Sequence, residues 1–112
     1  MLEKIFKKQF EFGKKFTPFG KLNDLSKQVF TLNFIGHAIE ELNEMRRELP
    51  LRKDWSKNKF NKVDNEKLLK EYIDVLHFFV TIALVNEWTA KQVYNAYMAK
   101  NKVNHERQKN NY

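Results

Sequence analysis

Residues 75–85 form an apolar run that is interrupted only by His77 and Thr81. A helix that is apolar on nearly every side is expected to be buried, so this segment should be the central helix of an all-α domain. The chain has only 3 Gly and 2 Pro in 112 residues, which favours long helices over a turn-rich β fold. This length suits one modest core, and we expect a single domain over residues 1–112. The run is too short to span a membrane.

Periodicity and capping signals predict four helices, at about residues 2–16, 24–49, 64–86 and 89–107. Asp24 is the predicted N-cap of the second helix, and Thr89 with Gln92 fits a capping box at the start of the fourth. The predicted fold is a four- to five-helix bundle. Apolar residues that recur every three or four positions predict the core face of the second helix: Val29, Leu32, Ile35, Ile39, Leu42, Met45 and Leu49.

Two acidic motifs fall on the second and third predicted helices. In Glu41-x-x-Glu44 and Glu71-x-x-Asp74 the two carboxylates are three residues apart, so each pair lies on one face of its helix. Like charges beside an apolar segment are costly unless a cation neutralises them. All-oxygen ligands favour Mg²⁺, so the four carboxylates predict a Mg²⁺ site between two helices and indicate phosphate chemistry.

The acidic residues and the two histidines near them also have alternative interpretations. An isolated E-x-x-E motif is most often a solvated helix face. His37 and His77 could instead belong to a di-iron bundle, but that site needs Glu-x-x-His on each of two helices, and the sequence has no such motif. We therefore expect His77 to be a packed, hydrogen-bonded histidine.

The fourth predicted helix carries Lys100, Asn104 and Arg107 on one face, flanked by Tyr97 and Asn101. A cation, an amide and a guanidinium in this order suit phosphate oxygens. Taken alone, the same residues are also typical of a solvated last helix with basic residues near its C-terminus.

Together, the two acidic motifs and the Lys100-x-x-x-Asn104-x-x-Arg107 motif resemble the all-α nucleoside triphosphate pyrophosphatase superfamily, which includes MazG-like proteins and dimeric dUTPases. The chain is more similar to the dUTPase-like branch and its small phage members, and the resemblance covers about residues 30–112. It implies a bundle of that type that cleaves the α–β phosphoanhydride of a nucleotide, with Mg²⁺ as cofactor and Mn²⁺ as a substitute. The expected products from dUTP are dUMP and pyrophosphate.

The resemblance also implies roles for particular residues. Glu41, Glu44, Glu71 and Asp74 map onto the metal ligands, and Glu41 is the candidate to orient or deprotonate the attacking water, with Glu40 as the weaker choice. Lys100, Asn104 and Arg107 map onto the phosphate-binding helix. Gln9, Phe34 and Trp55 are the candidate base-binding residues.

The chain departs from dimeric dUTPases in being shorter, and residues 10–27 have no predicted role. Another deoxynucleotide, such as dATP, dGTP or dCTP, therefore stays open as the substrate. The central helix is too apolar for an isolated four-helix unit, so we expect a homo-oligomer, either a dimer or a tetramer.

The formal net charge is +7, which attracts polyanions. A basic helical protein that binds nucleic acid is thus the alternative from another class, but it gives no reason for paired carboxylates. A catalytically inactive member of the superfamily is a third possibility. The chain has no Cys, which excludes disulfides and thiolate metal sites. Without a recognisable leader peptide we expect a cytoplasmic protein, in the host cytoplasm if the source is a phage.

Overall fold

The computed structural model describes residues 1–50 and 62–110, which form four helices and no strand. The helices are α1 (Leu2–Gly13), α2 (Asp24–Arg47), α3 (Asn65–Val85) and α4 (Ala90–Lys109). The prediction of an all-α fold is therefore confirmed. None of these helices is both long enough and apolar enough to cross a membrane.

Side-chain caps fix the starts of α2, α3 and α4. Asn23, Asp64 and Thr89 each accept a hydrogen bond from the backbone N–H three residues further on. The side chain of Gln92 accepts in return from the N–H of Thr89 at 2.8 Å, which completes the predicted capping box. The N-cap prediction for α2 is wrong by one residue, because Asn23 supplies the capping oxygen. Asp24 instead lies in the first turn, where the helix dipole favours a negative charge.

The first helix ends three residues earlier than predicted, at Gly13. The ring of Phe19 folds back onto this glycine, and a Cβ at position 13 would lie only 2.9 Å from that ring. Phe19 also contacts Phe10, with the ring centroids 5.5 Å apart. The missing side chain at position 13 therefore lets the segment after α1 pack against the helix.

The helices α2 and α3 run antiparallel and form the most extensive contact between elements. At one end, Lys27 Nζ donates to Glu87 Oε2 at 2.7 Å, immediately after α3. At the other end, Lys67 Nζ lies 3.3 Å from Glu48 Oε1. Because these two ion pairs join opposite ends of the two helices, they define the antiparallel register.

An aromatic layer lies between these two ends. The rings of His37 and Phe78 stack with centroids 5.5 Å apart, and the ring centroids of Phe34 and Phe78 lie 6.2 Å apart. Nearer to the Glu87 end, the amide of Asn86 donates to the hydroxyl of Thr31 at 3.0 Å. The register established by these contacts brings the two acidic motifs opposite each other.

The opposite side of α3 packs against α1 and the beginning of α4. Alanine and valine side chains of α3 and α4 meet Phe6 of α1 at this contact. The apolar core consists of Phe6, Val80, Ala83 and Ala90, with Leu2, Leu76, Leu84 and Val93 packed against it. Much of the predicted central helix is thus buried, although Phe79 is 55% exposed.

The predicted core face of α2 is largely wrong. Leu25, Leu32 and Ile39, each seven residues apart, are 70%, 67% and 54% exposed, and they define an outward stripe that also includes Val29 and Gly36. The residues of α2 that lie on the α3 side are mostly aromatic or polar instead. The members of this inner face are Phe30, Thr31, Phe34, Ala38, Glu41, Met45 and Glu48.

Candidate functional site

The antiparallel packing of α2 and α3 brings the two acidic motifs together. Glu41, Glu44 and Glu71 each place a carboxylate oxygen within 4.8 Å of the others. We call these three residues, together with Asp74, the acidic layer. Glu40, the weaker candidate for activating water, lies outside this layer and is exposed, with Oε2 3.9 Å from His37 Nδ1.

Burial and mutual repulsion both act on the acidic layer. Among the described residues, Oε2 of Glu41 and Oε2 of Glu71 are buried without a hydrogen-bond partner. Burial raises the pKa of Glu41, and the charges of Glu44, Asp74 and Glu71 raise it further. Burial is also the largest cause of the raised pKa of Glu71, followed by the charges of Glu44, Asp74 and Glu48.

Asp74 belongs to the same electrostatic environment, although its carboxylate is not within the 4.8 Å group. It is half-buried, it lies three residues after Glu71 on the same face of α3, and its charge raises the pKa of both Glu41 and Glu71. The structure therefore places the four predicted metal-binding residues in one region, with three of them in direct proximity.

The donor set of the acidic layer fits a hard divalent cation. All of the candidate ligands are carboxylates, which Mg²⁺ and Mn²⁺ prefer. Two buried oxygens lack a partner within residues 1–50 and 62–110, although buried polar atoms are usually hydrogen-bonded. A bound cation would supply the missing interaction for both oxygens and would lower the pKa values that burial and the neighbouring carboxylates raise.

A cleft of about 650 Å³ opens between α1 and α3. Its walls are mainly apolar, with polar groups supplied by Gln9 and His77 and cations at Lys4 and Lys8. Gln9 Nε2 donates to Thr81 Oγ1 at 3.0 Å, and that hydroxyl donates to the carbonyl of His77 at 2.7 Å. The predicted base-binding residue Gln9 thus lies in a cleft of ligand size.

The other two predicted base-binding residues are not in this cleft. Phe34 lies between α2 and α3, in the aromatic layer with His37 and Phe78. Trp55 lies outside the described residues. The expectation that His77 is packed is wrong, because its side chain is exposed and borders the cleft.

The predicted phosphate-binding residues lie on the second half of α4. The first half of this helix packs beside α1, through Ala90 and Val93, whereas Lys100 and Asn104 are exposed. Arg107 is also exposed and makes an interaction within the chain. These residues belong to a helix that packs chiefly against α1, while the acidic layer lies between α2 and α3.

Lys67 belongs to none of the sequence motifs described above, yet the structure places it beside the acidic layer. Glu44 of α2 lies close to Glu71 of α3. One helical turn further along both helices, Glu48 of α2 pairs with Lys67 of α3. The signal was present in the sequence, because Lys67 precedes Glu71 by four residues and therefore shares its helix face.

A family model described as dUTPase matches residues 1–92. No curated protein and no solved structure matches the chain significantly. The matched region includes the whole acidic layer and also residues 10–27, which had no predicted role. The match ends before Lys100. Compared with the predicted extent of the resemblance, residues 30–112, it begins earlier in the chain and also ends earlier. Because the match covers most of the sequence and the helices agree with it, the chain belongs to the dUTPase family.

Proposed function

We propose that this chain is a Mg²⁺-dependent nucleoside triphosphate pyrophosphohydrolase that converts dUTP to dUMP and pyrophosphate. The observation that carries the proposal is the acidic layer, in which two buried carboxylate oxygens lack a partner in the part of the chain that the structure describes. Such an arrangement destabilises a folded chain unless it binds a cation. Membership of the dUTPase family directs the choice of substrate.

Glu41, Glu44, Glu71 and Asp74 are the residues that would hold Mg²⁺, and Mn²⁺ would substitute for it. When bound, the cation would offset the negative charge of the phosphates and lower the pKa of water. The negative charges of these carboxylates also repel phosphates and other anions from the region between α2 and α3. A triphosphate can therefore approach only together with a cation.

Glu41 is the best candidate to orient or deprotonate the attacking water. It is half-buried, with one oxygen that has no partner among the described residues, and burial together with neighbouring carboxylates raises its pKa. A carboxylate with a raised pKa is a stronger base than an ordinary one. The exposed side chain of Glu40 lacks this environment.

The cleft between α1 and α3 is our proposed base site. Gln9 lines the cleft and donates a hydrogen bond to Thr81, and Asp74 belongs to the acidic layer. Thr81 and Asp74 mark the two ends of the site and lie seven residues apart on α3. At 1.5 Å per residue this separation is about 10 Å, which is on the scale of a nucleotide. Gln9 would provide hydrogen bonds to the base, and the apolar walls would bury its faces.

A second copy of the chain would complete the site. The solvent-accessible surface of the chain is 9349 Å², whereas a compact monomer of 13.6 kDa is expected to expose only about 6,600 Å². The exposed apolar side chains of the outward stripe of α2 account for part of this excess surface. We propose that α2 packs against another copy and that Lys100, Asn104 and Arg107 bind phosphates within the resulting dimer or tetramer.

The proposal is tested by measuring pyrophosphate release with Mg²⁺ from a panel of canonical and non-canonical nucleoside triphosphates. Rapid release from dUTP, with little from dCTP, dATP or dGTP, is the expected result. Release from another nucleotide in preference to dUTP would retain the chemistry and reassign the base. If none of the nucleotides released pyrophosphate with Mg²⁺ or Mn²⁺, the enzymatic proposal would fail and nucleic-acid binding would be the next function to test.

A further inference from the structure

One face of α3 carries an ordered row of polar side chains. Lys67, Glu71, Asp74, His77 and Thr81 follow one another at spacings of four, three, three and four residues, so they occupy one stripe of the helix. His77 borders the cleft between α1 and α3, Thr81 is buried beside it and accepts a hydrogen bond from Gln9 of the cleft wall, and Glu71 and Asp74 belong to the acidic layer. Lys67 lies at the end of the row that is furthest from the cleft.

The row gives a direction to a nucleotide bound along α3. On the proposed function, the base lies near Thr81 and the scissile phosphates lie at Glu71 and Asp74. The part of a triphosphate beyond the α-phosphate must then extend away from the cleft. Lys67 is four residues beyond Glu71 in that direction, which corresponds to about 6 Å along the helix.

The geometry of Lys67 suits a phosphate ligand. Its Nζ lies 3.3 Å from Glu48 Oε1, and the Lys67 side chain is 61% exposed while that of Glu48 is only 19% exposed. Glu48 therefore anchors the ammonium group from the protein side and leaves it open to solvent. An ammonium group has three donors, so it can keep this contact and still donate to a phosphate oxygen.

We infer that Lys67 is a phosphate-binding residue that recognises the β- or γ-phosphate of the substrate and thereby holds the leaving pyrophosphate. The inference rests on the proposed function and adds two things to it. It assigns a positively charged side chain to the phosphates from the same chain that carries the acidic layer, and it fixes the direction of the triphosphate along α3. Glu48 is the residue that positions this cation.

The test is calorimetric titration of the Mg²⁺-loaded protein with the α,β-imido analogue of dUTP and, separately, with dUMP. The variants are Lys67→Met, Lys67→Arg and, as a matched control, Lys91→Met at an exposed lysine of α4. We expect Lys67→Met to weaken binding of the imido analogue by roughly 10- to 100-fold, the effect of losing a hydrogen bond to a charged group. Binding of dUMP should be unchanged, and Lys67→Arg should retain most of the affinity.

If Lys67 had only a structural role, Lys67→Met would weaken binding of the imido analogue and of dUMP equally. If Lys67 contributed to binding of neither ligand, both affinities would be unchanged. Either result would overturn the inference if the wild-type protein binds the analogue and hydrolyses dUTP. A wild-type protein that neither binds the analogue nor hydrolyses any nucleotide would instead overturn the proposed function, and the inference with it. Unfolding curves of the variants would identify any loss of fold.

Discussion

Glu71 combines an apolar helix environment with a buried oxygen that lacks a partner among the described residues. We expect Glu71→Gln to reduce pyrophosphate release by at least about 100-fold, because a neutral amide is a poor ligand for a hard cation. The fold should persist, since the amide is nearly the same size and removes charge repulsion. Glu66→Gln, at an exposed position in the first turn of the same helix, is the matched control and should retain activity. A Glu71→Gln variant with wild-type activity would refute the metal assignment.

Stability of the metal-free chain should depend on pH in a direction set by Glu41 and Glu71. Both pKa values are raised from 4.5, first by burial and then by neighbouring carboxylates. A carboxyl group with a higher pKa in the folded chain binds more protons there than in the unfolded chain. The stabilisation from these groups is therefore complete below pH 4.5 and declines as the pH rises through the raised pKa values.

Thermal unfolding without divalent cations, followed from pH 4.5 upwards, would measure this effect against a Glu41→Gln, Glu71→Gln double variant. The wild-type midpoint temperature should fall relative to that of the double variant as the pH increases, and added Mg²⁺ should restore it. Parallel pH profiles for the two proteins would contradict the assignment of the pKa shifts.

At the scale of the helix, Gly36 is informative because it lies in the middle of α2, within the outward stripe. A Cβ at this position would meet no atom of the described residues within 4 Å, and glycine inside a helix costs about 1 kcal/mol relative to alanine. The fold of one chain therefore gives no steric reason for a glycine here. Close approach of an α2 helix from a second copy would provide one.

Gly36→Ala and Gly36→Leu test this explanation, since alanine and leucine have similar helix propensities but differ in size. We expect Gly36→Leu to shift the oligomer towards monomer in size-exclusion chromatography with light scattering, and Gly36→Ala to have a smaller effect. If both variants kept the wild-type mass and raised the unfolding temperature by a similar amount, the outward stripe would not be a contact between copies.

Sequence periodicity predicted the helices better than it predicted their faces. Thr89 and Gln92 determined the start of α4 through local hydrogen bonds, which depend only on neighbouring residues. By contrast, α2 has apolar residues on its outward stripe and aromatic residues opposite α3. Periodicity cannot tell which of two such faces packs inside the chain and which one stays exposed on it.

At the scale of the whole molecule, the acidic layer was predictable because two motifs on adjacent antiparallel helices must meet somewhere along their contact. Three of the four carboxylates meet in the structure. The relation of α4 to this layer was not predictable, because it depends on how helices pack over long distances in the sequence. For the same reason the cleft was not predicted, and Gln9 was a base-binding candidate only by resemblance. The hydrogen bond of Gln9 to Thr81 joins residues 72 positions apart.

The outward stripe of α2 also has a consequence for how the protein must be handled. If another copy covers this stripe, mass action links the folded state to the total protein concentration. Dilution to the low levels used in steady-state assays would then remove both the partner and part of the support for the helix that carries Glu41 and Glu44. Specific activity would fall on dilution, and substrate would protect against that loss by favouring the assembled form.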